Sequence, residues 1–217
     1  ASTGEMVKFG VDPTGPTGGS LLANLIQTPS LAERAAQGRE VGYAIIAVGL
    51  IGIIFAIYKL VELSNIARAV KKQAQNAGDA ESSNALGRVL MAGKANFDKD
   101  IDTLELKLAE AIMAERPQIE RGISGIRIIS VVAPLAGLLG TVTGMIVTFQ
   151  MITLYGTGDP KLMAGGISQA LVTTVLGLLV AIPTTLLHSF AASSAKSIIG
   201  VLEEQSTGIL AEHAETK

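Results

Sequence analysis

Cysteine is absent from the 217 residues, which excludes a disulfide framework and thiolate catalysis and leaves the redox compartment unreadable from this residue type. Histidine occurs only at His188 and His213, so a histidine metal site is not expected. Only 17% of residues are charged, the formal net charge is −2 and the pI is near 5.7. There is thus no basic field to recruit nucleic acid. Nor does the chain carry a phosphate loop, a metal-ligand cluster or a nucleophile–base pair, and an enzyme with a cofactor is not expected. Tryptophan is missing and aromatics make up 4%, so bulk must come from aliphatic side chains.

What is present is apolar and small. Hydrophobic residues make up 48% of the chain, the mean hydropathy is +0.45, and there are 24 glycines. A chain this greasy and weakly charged suits a membrane better than water, and abundant small residues suit closely packed membrane helices. The first residue is Ala1, which fits removal of a signal peptide or an upstream domain, or a shortened chain.

Residues 1–40 open with a Gly/Pro/Thr-rich stretch from Gly10 to Ser20, too rich in breakers for a long helix, and continue through the short amphipathic piece Leu21 to Ile26. They read as an interfacial segment outside the membrane. Residues 41–60, VGYAIIAVGLIGIIFAIYKL, carry no charge before Lys59 and would extend about 30 Å as a helix, the thickness of a hydrocarbon core. Tyr43 and Tyr58 stand at the two ends, where amphipathic rings favour the interface.

Residues 61–127 turn polar, with ten Lys/Arg and ten Asp/Glu. Ile101, Leu104, Leu108, Ile112, Ile119, Ile123 and Ile126 recur at steps that mostly keep one helical face, which predicts a long amphipathic helix outside the bilayer. Pro117 is expected to end, bend or perturb it. A second apolar run covers 128–155 and a third covers 162–187, joined by the short turn 156–161, so these two spans form an antiparallel hairpin. Residues 188–217 are expected to continue the third helix out of the bilayer. Lys59, Arg68, Lys71 and Lys72 follow span one, and Arg116, Arg121 and Arg127 precede span two, while Lys161 alone lies in the hairpin turn. Positive residues are retained in the cytoplasm, which predicts the middle region and tail inside and the N-terminus outside.

The second and third spans are more than lipid anchors. Span two carries Pro134, Gly137, Gly140, Thr141, Gly144 and Thr148; span three carries Gln169, Thr173, Thr174, Gly177 and Pro183. Gly166, Ala170, Thr173, Thr174, Gly177, Ala181 and Thr184 advance mostly by three or four and make one small, weakly polar face. Thr141 and Thr148, seven apart, share a face of span two. Gly137, Gly140, Gly144 and Gly177 read as helix-packing positions. Pro134 and Pro183 read as kinks, or as sources of freed carbonyls. For the threonines two readings stand: a hydroxyl facing a water-filled pore and one bonded to its own backbone look the same in sequence. Gln169 must face protein, water or the end of its span, because burying its amide unpaired would cost on the order of 2–7 kcal/mol. No Asp, Glu, Lys, Arg or His lies in the interior of any of the three spans, Lys59 standing at the end of the first. A proton relay needs a group that titrates near the working pH, and Thr and Gln do not. If this chain conducts protons, a partner supplies the carboxylate.

The stretch SVVAPLAGLLGTVTGMIVTF, Ser130 to Phe149, resembles the second-span signature of the MotA/TolQ/ExbB proton-channel family, approximately APxxGLxGTVxGxxxxF. GISQALVTTVLGLLVAIPTTLLH, Gly166 to His188, resembles its third-span signature, GIxEALxxTxxGLxxAIP. Three spans favour the ExbB/TolQ branch over the four-span MotA branch, and residues 12–43 resemble the region before span one in long variants of TonB systems. The resemblance implies an all-α membrane protein with long helical cytoplasmic extensions, multi-pass in a bacterial inner membrane. It also implies a homopentamer around a central pore, enclosing an ExbD-like single-span subunit with an essential Asp and energising a TonB-like transducer. The family's pore threonines fall on Thr141 and Thr174, with Thr148, Thr173 and Gln169 as further pathway candidates. At Gln169 the family pattern has Glu, so a fixed channel carboxylate is not expected here. The rival readings are a TolQ-like subunit for envelope integrity and a membrane scaffold without ion conduction.

Overall fold

A computed structural model describes residues 36–76, 79–156 and 160–216. Both the Gly/Pro-rich opening and the Leu21 to Ile26 piece lie outside the described residues, as do residues 157–159 of the hairpin turn. All regular structure among the described residues is helical: α1 (Arg39–Gln75), α2 (Ala85–Ala95), α3 (Ile101–Glu120), α4 (Ile123–Tyr155) and α5 (Pro160–Thr216). Three of these, α1, α4 and α5, are long and apolar enough to cross a membrane.

Each of the three continues well past its apolar run. The 57 residues of α5 extend about 85 Å at 1.5 Å per residue, nearly three times the hydrocarbon thickness. In the apolar part α4 and α5 pack side by side, with α1 laid against both through Ile45, Ala133, Val180 and Ala181. In the polar part the end of α1, α2, α3 and the end of α5 form a bundle. Leu63, Val70, Leu86, Ile119, Ile126 and Leu202 make its main core, and Val89, Leu104 and Leu108 a second cluster.

The polar middle region differs from the single amphipathic helix that its periodicity predicts. It is divided into the tail of α1, the separate helices α2 and α3, and the start of α4. Local capping sets the divisions. Asn84 Oδ1 accepts from the Gly87 amide at 2.8 Å and starts α2, and Asp100 Oδ2 accepts from the Thr103 amide at 3.0 Å and starts α3. Gln73, 5% exposed, ties the end of α1 to the start of α2. Its amide donates to Asn76 O and Asp79 O and accepts from the Glu81 amide and Asn84 Nδ2, all at 2.9–3.1 Å. Both halves of the side chain are thereby satisfied, which is what a buried amide requires.

Pro117 does not end its helix, which runs on to Glu120. The break comes at Gly122, whose φ of 82° is left-handed. A Cβ there would also lie 2.8 Å from the Phe55 ring, so the position needs glycine for both its conformation and its space. Of the periodic apolar set, Leu104, Leu108, Ile119, Ile123 and Ile126 are buried and Ile112 half-buried. Ile101 is 44% exposed, because it is the first residue of α3, before the helix reaches the bundle. Arg88 on α2 grips Glu115 on α3 through two bonds of 2.6 Å, and this hydrogen bond holds the guanidinium pKa above its ordinary value.

Candidate functional site

The α4–α5 contact is built from absences of side chain. A Cβ at Gly137 would lie 2.8 Å from Thr173 O, and one at Gly177 would lie 2.7 Å from Ala133 O. At Gly144 it would lie 2.9 Å from the backbone of Gly166 and Ala170. Gly140 abuts the Thr173 side chain, and Gly166 abuts Thr148 Oγ1. The two backbones are in near contact along several turns, the arrangement small residues permit between membrane helices. The large aliphatics point away: Leu135, Leu138, Leu139, Leu171, Leu179 and Ile182 are 58–63% exposed.

Within this contact lie the hydroxyls. Thr148 and Thr173 are 3% and 0% exposed and donate to their own helices, to Gly144 O at 3.0 Å and Ala170 O at 2.9 Å. Thr184, also fully buried, donates to Val180 O at 2.8 Å and Ala181 O at 3.1 Å. Thr141 is half-buried and donates to Leu138 O at 2.7 Å. Such back-bonding satisfies a hydroxyl within an apolar surrounding. Thr174 differs: its Oγ1 is enclosed and has no hydrogen-bond partner among the described residues. Leaving a hydroxyl in that state costs on the order of 1–3 kcal/mol.

Gln169 is 8% exposed and lines a cavity of about 390 Å³ with Gln37, Arg39, Gly165 and Ser168. Ser168 Oγ donates to Gln37 Oε1 at 2.8 Å, so the segment before α1 reaches the start of α5 here. Gln169, Thr148 and Thr173 share the buried face, with Thr174 beside them and Thr141 at its margin. Pro134 and Pro183 stand half-buried inside continuous helices. Near Pro134, the Ser130 hydroxyl donates to Arg127 O at 2.8 Å. The face is polar and small, and it lacks any group that titrates near neutral pH. Among the described residues no group of three or more His, Cys, Asp or Glu could hold a metal ion.

Several buried polar residues escaped the sequence reading, Gln73, Glu115, Lys59 and His213 among them. Lys59 is 2% exposed and reaches Glu62 at 3.2 Å. The i, i+3 spacing of opposite charges at the end of an apolar run was the signal for it. His213 is 2% exposed, with Nε2 at 3.0 Å from Lys99 O and its ring edge-on to Phe97 at 5.1 Å. Nothing in the local sequence marks it, because its partners lie more than a hundred residues away.

A paired-helix membrane core with threonine hydroxyls at a glycine-lined seam defines a class of multi-pass helical membrane protein. Residues 64–204 match the model of the MotA/TolQ/ExbB proton channel family, and the chain belongs to that family. Over 180 residues it is 32% identical to a putative biopolymer transport protein ExbB homolog of Methanothermobacter thermautotrophicus, a match covering 74% of this chain and 62% of that protein. It is 29% identical over 175 residues to a putative biopolymer transport protein ExbB-like 1 of Synechocystis sp., covering 73% and 69%. A shorter match, 48% identical over 58 residues, links it to the biopolymer transport protein ExbB of Aquifex aeolicus, covering 27% and 39%.

Proposed function

We propose that this chain is the channel-forming subunit of a proton-driven motor in a bacterial inner membrane. Family membership supports a proton-channel role. The observation that carries the finer reading is the character of the α4–α5 face, which is lined by Thr148, Thr173, Thr174 and Gln169 and holds no titratable group. A path for protons along it needs an ionisable group from another chain. That partner is a single-span, ExbD-like subunit bearing an essential Asp. The Thr174 hydroxyl, unpartnered in the single subunit, supports a role as donor to such a carboxylate or to water, and Thr141 and Thr174 line the path. The apolar outer surface of α1, α4 and α5 meets lipid and neighbouring copies in a homopentamer. The N-terminus lies in the periplasm, and the helical bundle and tail lie in the cytoplasm. The work goes to a TonB-like transducer.

A scaffold without conduction has one observation in its favour: Thr141, Thr148, Thr173 and Thr184 all bond their own backbones. Proton flux into proteoliposomes separates the two readings, measured with and without the single-span partner. Wild type is expected to conduct only with the partner, and Thr141→Val plus Thr174→Val to lose most of that flux with the oligomer intact. Unchanged flux in the double variant would remove the threonines from the path. Absence of flux even with the complete energised machinery would favour the scaffold.

A further inference from the structure

A second, larger cavity lies away from the threonine face. It measures about 880 Å³ and sits at the elbow between α3 and α4, against the side of α5. Arg116, Arg121 and Arg127 line it from the elbow and Lys196 from α5, while the carboxylates are Glu120 and Glu203. Arg116 is already paired with Glu120 at 3.3 Å. Arg121, Arg127 and Lys196 have no ion pair among the described residues, leaving three cations against one unpaired carboxylate.

The elbow itself is held in place. Gly122 is left-handed and packed against the Phe55 ring, which fixes the backbone that carries Arg121. The first turn of α4 has neither a side-chain cap nor an acidic residue, so its peptide dipoles add to the positive field. Depth narrows the choice of anion. Arg127 precedes Ile128, where the uncharged apolar run begins, and the cavity wall includes Ile123, Ala192 and Ile199. Cations beside apolar wall at the edge of a membrane span match the level of phospholipid phosphates.

We propose that this cavity is a phosphate-binding site that holds the headgroup of an anionic phospholipid. Guanidinium groups pair with phosphate oxygens through two parallel bonds, and the apolar wall accommodates the start of the acyl chains. The site owes nothing to ion conduction, so failure of the flux experiment leaves it standing.

The test uses the full chain purified as its native oligomer in neutral detergent. Retained phosphatidylglycerol and phosphatidylcholine are counted by native mass spectrometry. Wild type is expected to retain phosphatidylglycerol preferentially. Arg121→Gln/Arg127→Gln/Lys196→Gln should lower that retention by about tenfold or more, given the worth of each surface cation toward anionic lipid. Arg68→Gln/Lys71→Gln/Lys72→Gln, which removes as many exposed cations from α1, should leave it unchanged. Because the first triple variant can fail to fold, Arg121→Lys/Arg127→Lys is measured beside it and should keep most of the lipid. Excess inorganic phosphate separates the sources of the anion. Resistance to it supports a lipid headgroup, whereas displacement together with indifference to lipid type overturns the lipid assignment in favour of a soluble phosphate. Equal retention in the cavity and wild-type proteins, or equal loss in the α1 control, overturns the site altogether.

Discussion

The two halves of this molecule are packed by opposite rules. At the α4–α5 seam of the apolar half the interior is Gly, Ala and Thr, with Ile45 and Val180 added where α1 joins and most Leu, Ile and Phe facing outward; in the polar half Leu63, Leu86, Leu104, Leu108 and Leu202 are inside, each no more than 1% exposed. The same chain, and in α1 and α5 the same helices, change rule along their length. Water supplies the driving force in one half by expelling large aliphatics. In a bilayer a leucine gains nothing by leaving lipid, so close backbone approach and dispersion contacts hold the helices instead. Hydrophobicity alone therefore does not locate an interior, whereas side-chain size read together with surrounding polarity does.

The contrast is most exposed to refutation within α5. Gly177→Leu drives a side chain into the Ala133 carbonyl and Gly137 backbone, which cannot yield as a side chain would. It should abolish the α4–α5 seam and yield no stable oligomer. Gly200→Leu on the same helix, where a Cβ meets nothing within 4 Å, should be neutral or raise stability by up to about 1 kcal/mol through helix propensity. Thermal unfolding in detergent with size analysis measures both. Equal damage from the two would mean that the seam is not a glycine-dependent contact.

The next contrast exchanges the halves. Leu104→Ala, in the bundle core, should cost about 2–5 kcal/mol by leaving a cavity. Leu139→Ala, 58% exposed on the membrane half, should shift the unfolding of the isolated subunit by less than about 0.5 kcal/mol. A large loss at Leu139 in the assembled oligomer, absent from the isolated subunit, would show that its outward face is an interface between copies. A smaller effect is expected at the junction of α1 and α2, where Gln73→Ala removes four hydrogen bonds. The expected loss is about 1–3 kcal/mol, together with faster amide hydrogen exchange at the start of α2 and little change in α4.

Much of the membrane half was legible because its signals are local. Runs of apolar residues, their lengths and the three- or four-residue recurrence of small side chains in the third run all lie within single helices. The bundle was less legible. Periodicity through residues 61–127 predicts one helix, whereas Asn84, Asp100 and Gly122 divide the segment. Each of these is a familiar start or stop signal, outweighed in the reading by the continuity of the apolar face. Glu115 and His213 were illegible for another reason: their burial depends on Arg88, Phe97 and Lys99, which only the folded bundle brings near. At the seam, sequence supplies the hydroxyls and leaves their direction open. Direction is set by the rotamer, and it divides the self-bonded Thr173 from the unpartnered Thr174 beside it.

The unbroken run of α5 from Pro160 to Thr216 makes the two halves phase-locked. A flexible linker would let each half be altered without reference to the other, but a continuous helix carries angular information. One residue inserted between Thr185 and Ala191 would turn everything beyond it by about 100°. Leu202, Ile198 and His213 would then leave the bundle while the glycine seam stayed in register. Changes of length in this helix are consequently confined to near-whole numbers of turns, and the lipid-facing half and the water-facing half must vary in step.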